Sequence, residues 1–118
     1  MKEKLRNSIY FCGSGKLLRG KTGGLVSAYF TVSLSLNPNN SRVQDVAFAS
    51  PFDGDLVGKK IKNVLLGANF CEGIKEATNF LNTSFYSDSK HIKNAYLTAI
   101  RQLDRVYQKL KRRGRIKN

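Results

Sequence analysis

A chain of 118 residues is long enough for one hydrophobic core and too short for two ordinary domains. Its composition, 41% apolar and 25% charged with five tyrosines and seven phenylalanines, is that of a globular protein and excludes wholesale disorder. The formal charge of +13 belongs to the flanks: residues 1–21 carry six bases and one acid, residues 101–118 eight and one, and residues 22–100 seven and six.

Such flanks attract phosphates, acidic proteins or anionic headgroups through a salt-dependent field. Residues 1–7 lack the apolar run of a secretion signal, and no window nears the roughly 18 apolar residues of a membrane span. Cys12 and Cys71 are too few for a disulfide framework or a four-ligand metal site. The expectation is a cytoplasmic protein with free thiols and no cofactor; a Cys12 to Cys71 bond is the alternative.

In chain order, Ser8 to Cys12 reads as a short strand entering a Gly-rich, basic loop from Gly13 to Gly24. From Leu25 to Leu36 one parity is apolar (Val26, Ala28, Phe30, Val32, Leu34, Leu36) and the other is mostly Ser, Thr and Tyr, which predicts a strand with one buried and one wet face. Asn37-Pro-Asn-Asn40 then turns the chain, and Arg42 to Ala49 returns as an antiparallel strand. Val57, Ile61, Val64 and Leu65 place an apolar stripe on a first helix, stopped at Gly67. Asn69 caps a second, short helix lined by Ile74, Ala77, Thr78 and Leu81, with Glu72 in a near capping box. Ser87 or Ser89 caps the last and longest helix, where Ile92, Ala95, Tyr96, Ala99, Leu103, Val106 and Leu110 repeat through about five turns. The basic run after Leu110 offers no buried face and is expected to fray. Strands followed by helices predict an α+β domain over residues 1–108, a short antiparallel sheet of about three strands with three helices on one face, and a basic tail over 109–118.

The string Gly15-Lys-Leu-Leu-Arg-Gly-Lys-Thr22 satisfies G-x-x-x-x-G-K-[ST]. A phosphate loop works because a helix begins at its Lys-Thr and aims amides at the phosphates, whereas here Gly23-Gly24 and a β pattern follow. The segment is therefore read as a surface loop, with Lys16, Arg19 and Lys21 as candidate anion contacts. His91, the single histidine, and Cys71, near a helix N-terminus, are read as a capping or solvent-facing imidazole and a small apolar filler rather than as catalytic groups. Asp53 and Asp55 flank Gly54 before the first helix, where acids complement the helix dipole. The run Lys109, Lys111, Arg112, Arg113, Arg115 and Lys117 is either a solvated tail or a phosphate-binding element. Tyr10, Phe11 and Tyr29 are candidates to stack bases beside it, or are core and sheet-face residues.

The stretch Val26 to Lys109 resembles an uncharacterised bacterial family, a domain of unknown function in which a β-hairpin leads to a helix ending like Leu65-Leu66-Gly67-Ala68-Asn69 and later to one like Ala95 to Lys109. The layout is also similar to the iron–sulfur scaffold fold of the NifU and IscU kind. That resemblance implies three cysteine positions, near Gly23-Gly24, in 51–54 and beside His91, none of which is cysteine here. Kinship in fold therefore brings no cluster with it. It implies instead a vestigial ligand pocket of Asp53, Asp55 and His91 in a non-catalytic binding domain. The alternative is a nucleic-acid-binding protein using the basic loop and tail. Nucleic acid, an acidic protein and a second copy of the chain are the partner classes left open.

Overall fold

A computed structural model describes residues 8–19, 26–51, 54–84 and 90–117, apart from the side chains of residues 17–19, 26–28, 84 and 91. Three strands, β1 (Ile9–Arg19), β2 (Val26–Leu36) and β3 (Val43–Ala49), form one antiparallel sheet in the order β1-β2-β3. Three helices follow, α1 (Leu56–Leu65), α2 (Phe70–Ser84) and α3 (Lys90–Arg112). This is the α+β arrangement that the strand and helix periods predict, with the last helix the longest.

The alternation of β2 sets which face is dry. Phe30, Val32, Leu34 and Leu36 are buried under the helices, while Tyr29 and Ser33 face solvent. The hairpin to β3 closes through Asn37–Ser41, with the Asn37 amide donating to the Arg42 carbonyl at 2.9 Å and Ser41 at φ 58°. Ser35 pairs Asp45 and Leu36 pairs Val43, so Gln44 is an extra residue that bulges β3 at this end.

β1 departs most from expectation. It runs eleven residues and pairs β2 without a break from Ile9↔Leu36 to Arg19↔Val26, so residues 13–19 of the expected loop are strand. The reason is tertiary. α3 crosses β1 so closely that a Cβ on Gly13 would lie 2.2 Å from the Ala99 carbonyl oxygen, and one on Gly15 would lie 1.6 Å from that of Ala95. Glycine at these two inward positions lets the helix backbone rest on the strand backbone. Ala95 and Ala99, buried and one turn apart, complete the seam.

α1 ends as its sequence predicts, with Leu66 as cap and Gly67 at φ 79°. Asn69 Oδ1 accepts the Cys71 amide at 3.1 Å and starts α2, which runs fifteen residues and is not short. Gly67 and Ala68 also exchange backbone hydrogen bonds with Val43, so the α1–α2 loop covers the start of β3. Aromatic pairs in the core include Phe30 against Tyr96, with centroids 4.4 Å apart, and Phe70 stacked on Tyr107 at 4.3 Å.

The basic C-terminus is not frayed. α3 continues to Arg112 and closes in a Schellman turn, with Gly114 at φ 75°, its amide on the Lys111 carbonyl at 3.1 Å and the Arg115 amide on Leu110 at 2.9 Å. Ile116 is then 2% exposed, and the Lys117 amide donates to the Pro38 carbonyl at 2.8 Å.

Candidate functional site

Asp55, assigned from sequence to a ligand pocket, makes two contacts within the fold. Its Oδ1 accepts the Gly58 amide at 2.9 Å as N-cap of α1, and its Oδ2 accepts the Tyr96 hydroxyl at 2.5 Å. The carboxylate is 8% exposed and ties α1 to α3. Burial, and then the neighbouring carboxylate, hold the Tyr96 phenol in its protonated form well above the ordinary phenol range. Asp53 lies outside the described residues; His91 is in the first turn of α3, and its side chain is also outside them. No group of three His, Cys, Asp or Glu side chains converges among the described residues.

Of the cations of the expected anion-binding loop, Lys16 alone has a described side chain. Lys16 stands exposed on β1 opposite Tyr29 on β2. Arg19 ends the strand opposite Val26, with its side chain outside the described residues, and Lys21 lies outside them entirely. Gly15 to Arg19 is extended strand rather than a curved loop leading into a helix, so this part of the string match is not a phosphate loop. Cys12 is exposed and Cys71 half-buried, and both are free thiols.

The tail cations sit on an anchored stretch of backbone. The anchor at Ile116 and Lys117 leaves Arg112, Arg113, Arg115 and the Lys117 side chain exposed around one corner, with Lys109 exposed one turn back. Lys111 lies over the Tyr107 ring at 5.9 Å. The β2–β3 turn belongs to the same corner, because Pro38 accepts Lys117 and Ser41 Oγ meets the Tyr107 hydroxyl at 2.7 Å. Burial raises the Tyr107 phenol pKa, and the Ser41 hydrogen bond opposes that rise. Arg42, exposed beside the turn, donates through Nη1 to the Gly67 carbonyl at 2.6 Å and lines a depression of about 280 Å³ with Asn37, Asn40, Val43 and Gln44. The one acid in residues 101–118 is Asp104, two turns above Arg112 and bonded to Gln108.

The sheet face away from the helices holds a second feature. Tyr10, Ser35 and Asp45 form one cross-strand row, and Cys12, Ser33 and Ala47 the next. Together they line a cavity of about 420 Å³. Tyr10 is 62% exposed at its side and Tyr29 52% exposed further along the sheet. Phe11 packs edge-on against Phe70 at 5.8 Å, partly buried against the core.

Sequence reasoning missed Gly114, Ile116, Ser41, Tyr107 and Arg42 as parts of the corner. A signal for the first two was present: a glycine two residues before a lone apolar residue, just past a helix, is the pattern of a Schellman turn that docks the next residues of the chain. No described helix is long and apolar enough to cross a membrane. No family model, no curated protein and no solved structure matches this chain.

Proposed function

We propose that the chain is a non-catalytic binding domain whose ligand is nucleic acid, held by its phosphates on the anchored basic corner. One observation carries the reading. A solvated tail needs no anchor, yet this one turns back on the domain, buries Ile116 and hydrogen-bonds Pro38, which fixes four cations where a flexible tail would spread them. Fixing the backbone that carries these side chains lowers the entropic cost of meeting a phosphate backbone. Residues 22–100, with seven bases and six acids, supply a nearly neutral scaffold. The resemblance to the iron–sulfur scaffold fold is part of the proposal as ancestry of shape alone. The positions where it implies thiolates have none.

The test is fluorescence anisotropy of the protein with a labelled 12-base-pair duplex and a labelled 12-nucleotide strand across a salt series. If Arg112, Arg113, Arg115 and Lys117 each neutralise one phosphate, log affinity falls with log salt at a slope near −3.6 for the duplex, about −0.9 per phosphate. Absence of binding to both oligonucleotides at 50 mM salt ends the reading.

A further inference from the structure

We propose that the open sheet face is a platform for single-stranded nucleic acid: one base lies in the groove against the Tyr10 ring while the adjoining phosphates meet the basic corner. This rests on the phosphate-binding reading above and adds to it the strandedness of the ligand and the residue that senses it.

The groove has the form a base needs. Tyr10 is the one large side chain of its two rows; Ser35 beside it is buried, and the exposed floor is Cys12, Ser33 and Ala47, short enough for a planar ring to settle on the sheet. Asp45 closes the row opposite Tyr10, two strand spacings or about 10 Å away. Its Oδ1 accepts the Val46 amide at 3.0 Å, which leaves Oδ2 to accept from the amino group of a base. The same carboxylate repels phosphates, so the strand's backbone is directed out of the groove. The basic corner lies towards that end: Ser35, in the Tyr10 row, is one residue before Leu36, where β2 ends, and the turn that follows holds Pro38, the acceptor of Lys117. Tyr29 and Lys16 continue the face at its far end, six residues or about 20 Å beyond Tyr10 along β1. A duplex cannot use this surface, because its bases are stacked inside the helix and reach an external aromatic ring only when flipped out. A single strand offers its base faces freely, and stacking on an aromatic side chain is tolerant of sequence.

The experiment compares the intact protein with Tyr10→Ala and Tyr10→Phe by anisotropy, using labelled (dC)12 and the 12-base-pair duplex. Tyr10 is a surface side chain, so circular dichroism is expected to show all three folded alike. Tyr10→Ala is expected to weaken (dC)12 binding by at least about fivefold, the loss of one base stack. Tyr10→Phe keeps the ring and most of the affinity, and the duplex is held equally by all three. Because the chain contains no tryptophan, Tyr10→Trp adds a single reporter whose fluorescence (dC)12 quenches and the duplex does not. If Tyr10→Ala binds (dC)12 like the parent, or loses both ligands equally, the platform is refuted while phosphate binding by the corner stands. Failure of the parent protein to bind either oligonucleotide removes both.

Discussion

Replacing Gly15 by alanine tests whether the fold depends on direct contact between the backbones of α3 and β1. The new Cβ would sit 1.6 Å from the Ala95 carbonyl oxygen, 2.4 Å from its carbon and 2.9 Å from its Cα. Ordinary contact lies at about 3.5–4 Å, so helix and strand must separate by roughly 2 Å locally. Neither side can yield by rotating a side chain, since the obstructing atoms are main chain. α3 also carries Tyr96, Ala99, Ile100 and Leu103 into the core, and lifting it loosens all four. Overpacking usually costs about 1–3 kcal/mol, and this geometry places Gly15→Ala at about 3 kcal/mol or beyond. At about 4 °C per kcal/mol for a domain of this size, the Tm falls by about 12 °C. Urea and thermal unfolding followed by far-ultraviolet circular dichroism measure the change. Ser33→Ala on the exposed sheet face is the control, expected within about 0.5 kcal/mol of the parent. A Gly15→Ala protein as stable as that control would refute the seam. A phosphate-loop role for Gly15 predicts the reverse pattern, unchanged stability with lost anion affinity.

Three further outcomes arise from the buried polar links and the anchor. Tyr96→Phe leaves Asp55 Oδ2 without its hydroxyl donor in a nearly closed site, and is expected to lower stability by about 1–3 kcal/mol in urea titrations. In alkali, the unfolded chain releases phenolic protons from about pH 10 while Tyr96 and Tyr107 keep theirs, so the unfolded state binds fewer protons. Stability is therefore fully retained below pH 10 and falls as pH rises above it. Phenolate absorbance should show these two side chains ionising together with unfolding, and their titration in the native protein at the ordinary phenol pKa would contradict this. Ile116→Ala removes the anchor of the tail at a cost of about 1–3 kcal/mol, less than a central core position because the last residues can detach. Faster tryptic cleavage after Arg112 to Arg115 is the accompanying sign.

Much of the fold was legible from periodicity. The twelve-residue alternation from Leu25 to Leu36 marked the central strand, Asn37 to Asn40 its hairpin, Gly67 and Asn69 the joint between two helices, and the 3.6-residue stripe the last helix. What could not be read had causes distant in sequence. Gly13 and Gly15 look like loop residues because glycine weakens a strand, and their reason for being there is the carbonyls of Ala99 and Ala95, some eighty residues on. Asp55 was legible as a helix-start acid, but its tie to Tyr96 spans forty-one positions, and the same distance hid that its oxygens were spoken for. Ile116 stood alone among basic residues, so no period marked it, and α2 outran the residues that made its stripe. The candidate site was legible in its ingredients, the tail cations and Tyr10, and not in the anchor that assembles them.

That anchor is central to the proposed function, and the salt dependence of duplex binding tests it most directly. The measurement compares the parent with a variant in which Arg113, Arg115 and Lys117 become alanine and Ile116 is kept. Phosphate binding at the corner predicts that the variant's slope of log affinity against log salt is shallower by about 2.7, three phosphates at about 0.9 each. An unchanged slope would mean that these cations meet no phosphate, and would contradict the basic corner as the binding site.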